Sequence, residues 1–283
     1  MRGGDGRAVP ACHTRADMAA DITDERIAKV AARLHDGGWL YTARQLYYGV
    51  CAEVETVPVH VAPGEVGLGV LLILVGAITG QRLILEILGV LGLLLVIVGA
   101  LTRAVERRPL PLVRPLAMSY ADFERTFLGA GHEPAGLMTL ARGASSASGA
   151  TLVVCDRDET AAVLAANRER IGDIEVSTLA ALDGDLSGRR VVALHDCDPA
   201  GCALLPELSD RGASPVDAGI NPRELPGRRL QLLEGAPARL PRDLSGHLDA
   251  AEMDWLRSGT RLECAVETPE QLAQRVLTAM GGA

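Results

Sequence analysis

Three aspartates and one arginine–tyrosine pair have the residue types and spacing to do chemistry. Asp156 directly follows the apolar run 151–155, and Asp196 and Asp198 directly follow the run 190–195. If these runs are neighbouring strands of a parallel sheet, their carboxyl ends share the edge where ligands bind, and the three carboxylates meet there. Carboxylates this close repel each other unless a cation is present. An all-oxygen donor set favours Mg²⁺, with waters and a substrate phosphate completing the octahedron. Within Asp196-Cys-Asp198-Pro-Ala-Gly201, Pro199 stops further strand pairing and Gly201 permits a close backbone approach. The same aspartates have a plainer use, since a carboxylate after a strand caps the helix that follows.

The second constellation is Arg44 and Tyr48, one turn apart on a helix expected from Thr42 to about Val54. At 100° per residue, Leu46, Tyr47, Val50 and Val54 share one side, which makes Tyr47 core. Arg44, Tyr48, Cys51 and Glu55 share another. A phenol that attacks phosphorus needs a cation beside it, and a guanidinium can hold the phosphate bidentately. The plain alternative is an amphipathic surface tyrosine.

The elements that must position these groups follow from periodicity and punctuation. Ile27, Val30, Ala31 and Leu34 mark an amphipathic helix over about 23–35, ended by Gly37-Gly38. Thr42 and Gln45 form a capping box that starts the next helix. A weak alternation over 57–61 suggests a short strand, so 21–62 reads as a winged-helix-like unit. Residues 1–20 are Gly-, Ala- and Arg-rich and read as loose. Residues 103–148 read as a linker with one helix over 119–142. From 149 to 283, strands at 151–155, 174–177 and 190–195, with a further stretch at 179–182, alternate with helices to about 170 and from 200 to 211. This predicts an α/β domain with a parallel sheet. Thr268-Pro269-Glu270-Gln271 opens a last helix.

The 283 residues carry a net charge of −8, with 48% hydrophobic and 23% charged residues, so the chain is built to fold and is not a wholesale nucleic-acid coat. Six cysteines form no C-x-x-C pair, which argues against a zinc ribbon and for reduced thiols. Between Val66 and Leu101 the only strongly polar residues are Gln81, Arg82 and Glu86. Residues 83–101 match about one bilayer crossing at 1.5 Å per residue. Segment 63–102 therefore reads as a transmembrane hairpin. Arg103, Arg107, Arg108 and Arg114 follow it and place both ends in the cytoplasm. The alternative is a buried apolar hairpin.

Thr42-Ala-Arg44-Gln-Leu-Tyr47-Tyr48 resembles the catalytic motif of the topoisomerase VI A subunit and its meiotic double-strand-break relatives. Val192-Ala-Leu-His-Asp196-Cys-Asp198-Pro-Ala-Gly201 resembles the D-x-D-P-x-G motif of that family's Toprim domain, and Val154-Cys-Asp156 its opening strand and acidic residue. Asp217-Ala-Gly-Ile-Asn-Pro and Glu263-Cys-Ala-Val also resemble it, and the order, winged helix before Toprim, is the family's. The resemblance covers about 22–58 and 118–280. It implies that Tyr48 attacks duplex DNA and becomes linked to the 5′ phosphate, that Arg44 steadies the phosphate, and that Asp156, Asp196 and Asp198 hold Mg²⁺. It further implies a homodimer and a separate ATPase subunit of the B type. No G-x-x-x-x-G-K-[ST] loop is present for ATP use by this chain.

Three departures stand against that pattern. Asp156 replaces the usual Toprim glutamate, the family has no membrane segment between the two parts, and the chain is acidic. Arg223, Arg228, Arg229, Arg239 and Arg242 offer local phosphate contacts. A catalytically degenerate, membrane-anchored interaction module and a Toprim nuclease without tyrosine chemistry remain the competing functions.

Overall fold

Helix α1, Asp24–Leu34, begins at Thr23, whose hydroxyl accepts from Arg26 N. It buries Ile27, Val30, Ala31 and Leu34, the stripe its period predicts. The chain then turns through Gly37 and Gly38 at φ 66° and 82°, left-handed values that favour glycine. Helix α2, Ala43–Glu55, starts on the expected capping box: Gln45 N donates to Thr42 Oγ1, and Thr42 N to Gln45 Oε1. The computed structural model describes residues 21–55, 91, 112–113, 117–128, 134–139, 149–225, 231–240 and 242–281. The possible strand at 57–61, the hairpin at 63–102 apart from residue 91, and the loose N-terminus at 1–20 lie outside them. Among the described residues, no helix is long and apolar enough to cross a membrane.

Strand β1 is Leu112–Val113, and α3, Tyr120–Phe123, runs into one π-type turn, Glu124–Leu128. The helix expected over 119–142 is therefore cut short. Gly129, Gly131 and Pro134 follow in sequence, and Leu137 instead bridges to Tyr41 as extended chain. The α/β part then runs β2 Thr151–Cys155, α4 Asp158–Ala166, α5 Arg168–Ile171, β3 Ile174–Thr178, β4 Arg190–Leu194, α6 Pro199–Cys202, α7 Leu204–Asp210 and β5 Val216–Asp217. Residues 179–181 form a 3₁₀ turn rather than extended chain, and the helix expected over 200–211 breaks at Ala203. Strand β6 Gln231–Glu234, α8 Ala250–Arg257, β7 Thr260–Arg261 and α9 Pro269–Gly281 complete the order. The second capping box also forms: Gln271 N donates to Thr268 Oγ1, and Thr268 N to Gln271 Oε1.

The main sheet has the order β3-β2-β4-β5 and is parallel throughout. Both faces are covered, as parallel sheets require. Val153, Cys155, Val192 and Leu194 point to one face, under Leu164 of α4 and Val276 of α9. Leu152, Val154, Val191 and Ala193 point to the other, under Leu204, Leu205 and Leu208 of α7. A small second sheet, β1-β6-β7, has strands too short to leave a periodic signal in the sequence.

The chain divides into two units, one of Met1–Thr56, Pro111–Leu225 and Leu230–Ala283, the other of Val57–Leu110 and Pro226–Arg229. Every element named above lies in the first. Within it the N-terminal helices are tied to the α/β part by buried polar bonds. Asn167 donates from Nδ2 to Leu40 O and accepts from Leu40 N on Oδ1. Gln45 Nε2 donates to Glu267 O at 2.9 Å. These pairings fix where α2 sits, and so where Arg44 and Tyr48 sit.

Candidate functional site at the sheet switch point

From β2 the chain crosses to β3 on one side, then returns past β2 to β4 on the other. The crevice beyond the carboxyl ends of β2 and β4 is thus the switch point at which open α/β sheets bind ligands. Asp156 leaves β2 and Asp196 leaves β4 at that point, and the two touch: Asp196 N donates to Asp156 Oδ2 at 3.0 Å. Asp198 follows as the N-cap of α6, where Oδ1 accepts from Gly201 N at 2.7 Å. Asp156 and Asp196 therefore meet at the sheet edge, and Asp198 has the helix-capping role.

A cation already stands among them. Arg157 Nε lies 2.9 Å from Asp196 Oδ2, and its Nη2 lies 3.3 Å from Asp198 Oδ2. As they stand, no three His, Cys, Asp or Glu side chains among the described residues are arranged to hold a metal ion. The donor chemistry still fits a hard divalent cation. The groups are all carboxylates, Asp156 Oδ1 is buried with no hydrogen-bond partner, and the absent side chain of Gly201 leaves room beside Asp156 Oδ2. Asp196, Asp198 and the free oxygen of Asp156 are the residues that would hold Mg²⁺. Burial first, and then the charge of Asp156, push the Asp196 carboxyl up to about 7. Burial likewise raises Asp156.

Tyr48 is not a surface residue. It is 3% exposed, and its helical neighbour Cys51 is fully buried. Helix α2 is covered on both sides because the segment 263–267 packs against the face that carries Tyr48. Burial first, and then Glu263, raise the phenol well above its ordinary value, while Arg44 pulls it down. Tyr47 is core as expected, donating its hydroxyl to Met118 O. Arg44 reaches across to the α/β part, with Nε 2.8 Å from Glu159 Oε2, Nη1 3.2 Å from Glu263 Oε2, and its guanidinium 4.5 Å from the Tyr120 ring centre. Arg44, Arg157, Thr160, Asp196 and Glu263 line one cleft of about 120 Å³.

Glu263 is the site residue that sequence reasoning passed over. Cys197 and Leu262 exchange backbone hydrogen bonds in an isolated antiparallel bridge. Cys264 N then donates to Asp196 Oδ1 at 2.6 Å. This bridge joins residues 65 positions apart and brings Glu263 to the cleft; the only hint in the sequence was the Glu263-Cys-Ala-Val resemblance. Arg223 lies elsewhere, half exposed, 3.6 Å from Glu252 and 3.9 Å from Asp217. Arg228 and Arg229 lie outside the described residues. The five described cysteines are all buried, and none of them is in a disulfide.

Behind the site, His195 is fully buried. Its Nδ1–H donates to Asp196 O at 2.8 Å, and Nε2 lies 3.2 Å from Asp217 Oδ1. The second contact is one of charge more than of alignment, since Nε2 has no well-directed acceptor. Burial lowers the imidazole's pKa, but Asp217 and Cys202 together outweigh it and the net shift is well upward. Burial raises Asp217, but His195 together with the bonds from Asn221 and Gly219 N outweighs it and holds the carboxyl below the usual carboxylate range. The raised histidine contributes stability that is complete below about pH 6.5 and is lost as pH rises through its folded pKa. The depressed aspartate contributes stability that is complete above about pH 4 and is lost as pH falls. Thermal melts are expected to show their plateau from the pair between about pH 4 and 6.5. The slope above it should be flattened in Asp217→Asn.

No protein-family model, curated protein or solved structure matches this chain.

Proposed function

We propose that this chain is a membrane-tethered, topoisomerase VI A-like DNA transesterase, built from a winged-helix-like unit and a Toprim-like unit. One observation carries the reading. Arg44, from helix α2, lines a single cleft with Asp196 of the switch point and with Glu263, and Tyr48 on the same helix lies against Glu263. Arg44 holds a duplex DNA phosphate bidentately once it leaves Glu159 and Glu263. The Tyr48 oxygen attacks phosphorus, its O–H bond breaks and the proton passes to the Glu263 carboxylate. The bond from phosphorus to the 3′ oxygen breaks, its electron pair stays on that oxygen, which takes a proton from water to become a 3′ hydroxyl, and Tyr48 is left on the 5′ phosphate. Bound Mg²⁺ would polarise the phosphoryl oxygens. Tyr48 is 3% exposed, so DNA must part the seam between α2 and the Glu263 segment before attack. A homodimer, a B-type ATPase subunit and a cytoplasmic position at the cell membrane through 63–102 belong to this reading.

The test is covalent trapping of labelled duplex DNA with Mg²⁺. The wild type is expected to give a protein–DNA adduct, and Tyr48→Phe none. Nicking that survives in Tyr48→Phe would make the chain a Toprim nuclease. The burial of Tyr48 and the guanidinium between Asp196 and Asp198 favour a second reading, a non-catalytic anchored interaction module. Neither adduct nor nicking would establish that one.

A further inference from the structure

We propose that Arg157 is a tethered counter-cation that competes with a divalent ion for Asp196 and Asp198, so that metal enters the switch point only as the guanidinium leaves. This rests on the reading of the switch point as a metal site. The backbone divides the carboxylate oxygens into two sets. Asp196 Oδ1 is held by Cys264 N, Asp198 Oδ1 by Gly201 N, and Asp156 Oδ2 by Asp196 N. Those three oxygens are committed to the fold. The oxygens left over are Asp196 Oδ2, Asp198 Oδ2 and Asp156 Oδ1. The first two both face Arg157, and the third is buried with no hydrogen-bond partner.

The two ends of the pairing differ in freedom. The Asp196 and Asp198 side chains are 2% and 9% exposed, and their backbone bonds pin them. The Arg157 side chain is 51% exposed and springs from the extended residue just before α4, at the mouth of the cleft. It can swing into solvent without disturbing the core, whereas the carboxylates cannot follow it. A guanidinium brings one charge to a pair of carboxylates, and a divalent ion brings two. The metal-free site is thus partly neutralised in place, and the ion must displace a group held next to its ligands by the chain itself.

The test is direct Mn²⁺ binding to the full chain, read from the loss of the free-ion electron paramagnetic resonance signal, with no DNA present. Arg157→Gln is expected to bind at least about tenfold more tightly than wild type, and Arg157→Lys to stay near wild type. The gain in Arg157→Gln should vanish when Asp196→Asn is added. Equal or weaker binding by Arg157→Gln, with wild type still binding, overturns the competition and leaves the metal site standing. No binding by any variant overturns both. Should Arg157→Gln fold poorly without metal, its melting temperature must rise more with Mn²⁺ than that of wild type; an equal rise overturns the competition.

Discussion

Arg275→Met is expected to lower stability by about 3–5 kcal/mol, the usual result of breaking a buried ion pair from one side. Arg275 is 16% exposed and grips Glu267, 3% exposed, at both oxygens, 2.6 Å at Oε2 and 2.9 Å at Oε1. It also donates to Glu224 at 2.9 Å and to Gly219 O at 3.1 Å. One guanidinium thereby fixes the start of α9, the loop after β5 and the 3₁₀ turn at Pro222–Glu224. Urea titration followed by circular dichroism should show the midpoint fall at unchanged slope. Adding Glu267→Gln should recover part of the loss, because the carboxylate charge is then no longer buried without its bidentate cation. A loss under about 1 kcal/mol would mean that these contacts are ordinary surface pairs. The expected consequence reaches the site, since Gln45 hangs from the carbonyl of Glu267 and positions the helix that carries Arg44 and Tyr48.

Gly201→Ala is the second large effect. A Cβ there would collide with the carbonyl of Asp196 and stand 2.8 Å from Asp156 Oδ2. Two of its neighbours are backbone atoms of the residue that leaves β4, so they cannot rotate away. Overpacking of this kind costs typically about 1–3 kcal/mol. The larger consequence is geometric, because relief requires the Asp196 and Asp156 loops to part. Mn²⁺ binding and adduct formation should both be lost while far-ultraviolet circular dichroism stays close to wild type. Retention of metal binding in Gly201→Ala would place the ion away from the switch point.

The sequence by itself determined the elements whose signals are local. The stripe of Ile27, Val30, Ala31 and Leu34, the two capping boxes and the apolar runs of β2, β3 and β4 all formed where their period and punctuation put them. So did the meeting of Asp156 with Asp196, because alternating strands and helices force a parallel sheet and a parallel sheet shares its carboxyl ends. Tertiary structure decided what no local period encodes. Helical spacing placed Tyr48 on the face opposite Tyr47. It carried no information that a segment more than 200 residues later would cover that face. Glu263 reached the cleft through a two-residue bridge between Cys197 and Leu262, too short to leave a pattern. The guanidinium of Arg157 took the place expected for a free cation because a flexible charged side chain settles on the nearest buried carboxylates, and only the folded chain defines which are near.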